Sequence, residues 1–301
     1  MEVTMETRWI YKTSSNFAAL REESKGVCVI PMGCVEKHGL HMALGCDIIM
    51  ATNIAYEASQ LETFCVFPDF TFGDLPCNAP IEAEGGAMSD GNITLPVEME
   101  LALLDTLCRQ ISRNGYKKIL IYNCHGGNNS LLNTFQRMLN NKKRDFVVGV
   151  VSVELHAPHN LAKYLERNGS GSIPELTVED EAILMKCHKE NMIIGHAGFG
   201  ETAYLMALAP DSFEWDKIGI ESGLPTGMGQ AYRAAGIKLA DGGWDLDFPN
   251  AYCGHDPVEC NERIGRASVR FEAERLANAV KFFKEESYLL EKLEKEQKGW
   301  N

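Results

Sequence analysis

The chain has 301 residues, a formal net charge of −13, and 45% apolar and 24% charged residues. That composition excludes a disordered chain, and the length can bury a sizeable core. The negative charge repels phosphates, so nucleic acid and anionic membrane surfaces are not expected as partners, although general solubility accounts for the charge equally well.

The ten cysteines are scattered, with no CxxC pair, and Cys28, Cys65, Cys108 and Cys187 sit in apolar runs. In a chain this large, with no charged-then-apolar leader at its start, they read as reduced thiols of a cytoplasmic protein. No stretch approaches the roughly 20 apolar residues of a membrane span.

In chain order, residues 26 to 32 (GVCVIPM) read as a strand and 48 to 58 as a helix, with apolar residues at 48, 51, 54, 55 and 58. Residues 64 to 70 read as the next strand. An amphipathic helix over 96 to 114 follows, stopped by Gly115. Residues 118 to 122 (KILIY) form a short strand, 130 to 140 a helix and 146 to 153 (FVVGVVSV) a further strand. Helices are expected over 179 to 189 and 201 to 209, each opening on acidic residues suited to a helix N-terminus. Residues 211 to 257, rich in Gly, Asp and Pro, read as a long surface excursion. From 258 to about 298 the chain reads as a charged amphipathic helix broken once, its charges forming a solvated face or a subunit contact. With no repeat, low-complexity tract or linker, residues 1–301 read as one domain. The alternation of strand and helix predicts a three-layer α/β/α fold with a mainly parallel central sheet.

Two clusters stand where a strand gives way to a helix, the edge at which open α/β sheets bind ligands. One is Glu36-Lys37-His38-Gly39 leading to Asp47, and the other is Asn123-Cys124-His125-Gly126-Gly127-Asn128. On an extended backbone Glu36 and His38 leave the same face. Gly39 and Gly45 let the chain turn and bring Asp47 back. Carboxylates and imidazoles together suit zinc or manganese, and a bridging carboxylate would hold two ions about 3.5–4 Å apart. Each residue also has a plainer role: Asp47 as a helix cap, His38 and His41 as hydrogen-bonded core histidines, Gly126-Gly127 as a phosphate turn. Gathered at one sheet edge, they favour the metal reading.

At these residues the sequence resembles the creatininase family, the creatinine amidohydrolases. The first family motif reads here as Gly33-Cys34-Val35-Glu36-Lys37-His38-Gly39-Leu40-His41 followed by Asp47, and the second as Asn123 to Asn128. A third is matched by His196-Ala197-Gly198-Phe199-Gly200-Glu201-Thr202, and a weaker fourth by Gly254-His255-Asp256-Pro257 with Gly265. The resemblance implies a metal-dependent amidohydrolase that opens a cyclic or formyl C–N amide bond through a hydroxide bridging two divalent ions. Zinc is the first choice, with manganese or iron as alternatives. It implies Glu36, His38, Asp47, His125 and Glu201 as metal ligands, with Asp47 bridging. Creatininase takes a glutamate two residues after the second-motif histidine, where Gly127 stands here, and Glu201 is the replacement.

His196, with Glu201, is the implied catalytic group, passing a proton from the attacking water to the leaving nitrogen. Lys37 is expected to point away, without a role. The implied partners are a small-molecule amide substrate and further copies of the chain in a homo-hexamer. The substrate-facing shell departs from the family. No tryptophan follows the 146–153 strand, where Glu154, His156 and His159 stand, and residues 84 to 94 match poorly. Trp215 and Trp244 are candidates to line a pocket, with packing the plainer role. Creatinine itself is therefore not the expected substrate. Alternatives are a formamide deformylase, a peptidase of the same family, an inactive assembly subunit, or a thiol enzyme using Cys124.

Overall fold

A computed structural model describes residues 5–75, 91–239 and 243–299. After helix α1 (Phe17–Glu23), strand β1 (Val27–Met32) leads to helix α2 (Cys46–Leu61) and strand β2 (Cys65–Val66). Helix α3 (Val97–Arg113), strand β3 (Lys118–Asn123), helix α4 (Asn128–Leu139) and strand β4 (Val147–Ser152) follow. Among the described residues the four strands are all parallel, in the order β2-β1-β3-β4.

Strand alternation builds two cores. Val27 and Val29 of β1, with Leu120 and Tyr122 of β3, face α2 and the C-terminal helix. Cys28, Ile30 and Met32, with Ile119 and Ile121, face α1, α3 and α4. Both faces of β1 and β3 are therefore covered, as a parallel sheet requires, and the layers are helix, sheet, helix. The expected strand over 64 to 70 shrinks to two residues. Pro68 has no N–H to give a ladder, and pairing resumes only at Phe70, whose N–H donates to the Pro31 carbonyl at 2.7 Å.

Helices α5 (Ala157–Asn168), α6 (Val178–Lys189) and α7 (Phe199–Leu208) come next, then the short α8 (Met228–Ala234) and α9 (Trp244–Asp247). The sequence reading assigns no element to 157–168. Its signals are Pro158 in the first turn, Gly169 just past the end, and buried Leu161, Ala162 and Leu165 at helical spacing. Helix α7 is buried on nearly every side, including Glu201 and Thr202, as expected of a helix that is apolar all round. The C-terminal helix is broken once, as expected, into α10 (Glu262–Glu285) and α11 (Tyr288–Glu296). Its charges are not all solvated, which corrects the expectation: Glu272 is buried, accepts the Tyr122 hydroxyl at 2.9 Å and is ion-paired with Arg275. Helix α10 packs on α2 and α7, and α2 lies on β1. No described helix is long and apolar enough to cross a membrane.

Candidate metal centre

From β1 the chain crosses to β2 on one side, and from β3 to β4 on the other, so the order reverses between β1 and β3. A crevice opens at such a switch point beyond the strands' C-terminal ends. Met32 and Asn123, the last residues of the two strands, are paired in register. Both motif clusters therefore start from the same rung, with Glu36 and His38 from β1 and His125 from β3. Gly33 makes room for the third contributor. A Cβ there would lie 2.7 Å from the Cβ of Asp47, so the first turn of α2 can sit directly against the end of β1. Gly39 turns with φ +59°, but Gly45, at φ −88°, needs no glycine freedom and stands as the helix cap residue. Asp47 lies inside the helix and caps nothing; its carboxylate faces the crevice.

The five residues expected as ligands meet there. His125 Nδ1 is 2.9 Å from Glu36 Oε1 and 3.1 Å from Asp47 Oδ2. His38 Nε2 is 3.6 Å from Asp47 Oδ1 and 3.5 Å from Glu201 Oε2. Asp47 thus turns one oxygen to each imidazole. His196 Nδ1 approaches Glu36 Oε1 at 3.5 Å and Glu201 Oε2 at 3.9 Å. His38, Asp47 and Glu201 are at most 2% exposed, and Glu36 and His125 each 8%.

Backbone carbonyls fix the direction of all three imidazoles. A carbonyl only accepts, so the ring nitrogen bonded to it must carry the proton. His38 Nδ1–H donates to the Glu36 carbonyl at 3.0 Å, His125 Nε2–H to the Asp74 carbonyl at 2.9 Å, and His196 Nε2–H to the Lys37 carbonyl at 2.8 Å. The other nitrogen of each ring then faces carboxylate oxygens. At these distances each nitrogen–oxygen pair needs a cation between them, a proton in the metal-free chain or a metal ion that displaces it. Among the described residues, Glu36 Oε1 and His38 Nε2 are buried with no hydrogen-bond partner. Separations of 2.9–3.6 Å match the roughly 3.4 Å edge of a tetrahedral set around an ion bound at about 2.1 Å. The donor set therefore fits divalent metal.

The charges are strongly interdependent. Burial alone would raise the Glu36 carboxyl, but His125 and His196 outweigh it and hold it at about 2. Burial opposes a charged His125, yet Glu36, Cys34 and Asp47 push its pKa well above the usual imidazole range. His38 is pushed up in the same way against its burial, by Cys46, Glu201 and Asp47. Burial raises Glu201, whose Oε2 accepts the Ala197 N–H at 2.6 Å. Ala197 takes a left-handed φ of +56°, a strained conformation of the kind found at functional sites.

Several neighbours are not legible in the motifs. Lys37 has no expected role, yet its carbonyl orients His196 and its ammonium pairs with Glu221 at 2.9 Å. Trp244 lies against His196 with ring centroids 5.4 Å apart, edge to face. Trp215 instead stacks on Phe213. The fourth motif and the residue before it brace the His196 loop: His255 Nδ1 accepts the Ile193 N–H and Cys253 N–H donates to the His196 carbonyl at 2.7 Å. His41 donates to the Ala197 carbonyl at 3.1 Å and so supports the same loop. His156 and His159 are ring neighbours, and His159 also approaches His188, away from the centre. Cys124 is buried and its thiol is pushed well up by burial, which leaves little thiolate for nucleophilic chemistry. Of the poorly matching stretch 84 to 94, residues 84 to 90 lie outside the described residues.

Fold and centre together define a class: a three-layer α/β protein whose parallel strands deliver an acid–imidazole cluster to their switch point. The family model for creatininase, described as creatinine amidohydrolase, matches residues 11–280, and the chain belongs to that family. It is 22% identical over 200 residues to the creatinine amidohydrolase of Pseudomonas putida, covering 64% of this chain and 68% of that protein. Among solved structures, a creatininase mutant complexed with creatine aligns with TM-score 0.64 at 18% identity, over 93% of this chain and 99% of that one. A manganese creatininase aligns with TM-score 0.64 at 18% identity, over 92% and 98%. A mutant creatininase of Zn–Zn type aligns with TM-score 0.62 at 17% identity, over 92% and 97%. At these identities the likeness to solved structures speaks for the fold.

Proposed function

We infer that this chain is a metal-dependent amidohydrolase that cleaves a non-peptide C–N amide bond, cyclic or formyl, in a small molecule. One observation carries the reading. Three imidazoles give one N–H each to a backbone carbonyl and aim the remaining nitrogen at three carboxylates, where a metal ion can replace the shared protons. Glu36, Asp47 and His125 would hold one ion, and His38, Asp47 and Glu201 a second, with Asp47 shared. Zinc is the first candidate, then manganese or iron. When bound, such ions supply a water of lowered pKa as nucleophile and polarise the amide carbonyl.

The protein's own groups then manage the proton. His196 takes it from the attacking water at Nδ1 and gives it to the departing nitrogen. Its Nε2–H, held by the Lys37 carbonyl, stops the ring from turning away. Its side chain is 13% exposed, more open than the buried His38, so it is the imidazole a substrate can reach. Glu201, beside both His38 and His196, serves the ion and the proton carrier together.

Metal analysis of the purified protein, combined with turnover on cyclic ureides, formamides and short C-terminal peptides, tests this reading. Glu36→Ala and His125→Ala should each lose bound metal and activity together. Full metal content in both variants would refute the ligand assignment, and turnover confined to the peptides would refute the bond class.

A further inference from the structure

The thiol of Cys34 stands among the carboxylates and imidazole on the β3 side of the centre. Cys34 is fully buried, and its Sγ donates to Asp47 Oδ2 at 3.2 Å. One ligand atom from each of Cys34, Glu36, Asp47 and His125 lies within 4.8 Å of every other. Within this foursome the buried Glu36 Oε1 lies 2.9 Å from His125 Nδ1 and makes no well-aligned hydrogen bond, so a metal ion between them would satisfy both. Cys46 is placed differently. It clusters with His38 and Asp47, and that cluster does not include Glu201. Of the two thiols, Cys34 alone is grouped with three of the carboxylate and imidazole ligands.

We propose that Cys34 is a fourth, thiolate ligand at the Glu36–Asp47–His125 position and makes that position selective for zinc over manganese. This rests on the metal-centre reading above. The physical reason is ligand softness. Thiolate favours zinc and other thiophilic ions, whereas manganese prefers oxygen ligands. A sulfur, two carboxylate oxygens and one imidazole nitrogen are donors that zinc accepts, and a zinc ion held there would admit the water by expanding to a fifth ligand. At the other position Cys46 lies beside His38 and Asp47 but is not grouped with Glu201, so the bias proposed here is for the Cys34 side alone. On ligation the S–H bond breaks, its proton leaves to solvent, and the freed electron pair forms the metal–sulfur bond, with no change of oxidation state.

The test uses the full chain stripped of metal and titrated with cobalt(II), whose thiolate charge-transfer band in the near ultraviolet reports sulfur ligation independently of activity. Wild type should show that band together with the visible d–d bands. Cys34→Ser, which keeps a hydroxyl to donate to Asp47, should keep the d–d bands and lose the charge-transfer band. After exposure to equimolar zinc and manganese, the zinc preference at the occupied sites should fall in Cys34→Ser by at least the ~10-fold expected for loss of a supporting group.

Cobalt bound to wild type without a charge-transfer band, or a band that survives in Cys34→Ser, would overturn the proposal while leaving the metal centre in place. No cobalt bound to wild type at all would overturn both. Because the first of these outcomes is read on wild type, misfolding of the variant does not protect the proposal.

Discussion

His196 carries the sharpest expectation at the level of single residues. It faces Glu36 and Glu201 without being enclosed by them, so its removal should spare the ions and slow the chemistry. His196→Ala is expected to retain metal and lose about 10²–10⁴-fold in turnover. Loss of metal in parallel with activity would make it a ligand instead. Glu100 offers a test that does not involve the centre. It is buried in the first turn of α3, and neither carboxylate oxygen has a hydrogen-bond partner among the described residues. Burial, helped by Asp74, pushes its pKa up to about 7. The folded state then holds a proton that the unfolded state has already released near its ordinary value of about 4.3. Stability is therefore lost as pH rises through that window. Glu100→Gln should melt higher than wild type at pH 8 and at the same temperature at pH 4. An equal shift at both values would show that charge is not the cause.

At the level of elements, docking of α2 onto the end of β1 sets the position of Asp47. Gly33→Ala would place a methyl group 2.7 Å from the Asp47 Cβ, and overpacking of this kind costs about 1–3 kcal/mol. The variant should melt lower and bind metal more weakly, because the helix can yield only by carrying the shared carboxylate away. Unchanged affinity for metal would mean that Asp47 adjusts without loss.

This is also the scale at which the sequence was most legible. β1, β3 and β4 announce themselves as apolar runs, α6 by its acidic start, and the break between α10 and α11 was expected. The strand read over 64 to 70 exceeds β2 (Cys65–Val66), because apolar content does not register the break that Pro68 makes in the ladder. Of the centre, the acid and imidazole residues could be picked out because motifs place them at strand ends. Glu201 came only from family resemblance. The carbonyls of Lys37 and Asp74 could not be read at all, since every residue has one and only the fold decides which is aimed. Cys34 was hidden for a different reason: it extends an apolar run, where a buried cysteine is ordinarily a small hydrophobe.

For the whole molecule, Glu36, Asp47, His125 and Glu201 reach the centre from the end of β1, α2, the end of β3 and α7. α10 clamps α2 and α7 together. Ions bound there would engage the folded chain and not the unfolded one, which stabilises by about 2.7 kcal/mol when the free ion stands at 100 times its dissociation constant. Chelation should lower the melting temperature by several degrees and added zinc should restore it, followed by circular dichroism. A melting temperature indifferent to chelator would show that the fold gains nothing from the cations.

The level finish of β1 and β3 has a consequence for how this chain can evolve. Because Met32 sits opposite Asn123, a single codon inserted within either strand would advance one branch by about 3.3 Å and turn its side chains to the opposite face. The reversal of facing would aim one set of ligands away from the crevice, which a change of rotamer does not repair. The lengths of these two short segments should be fixed across descendants that keep the chemistry, while the connections beyond them remain free to grow.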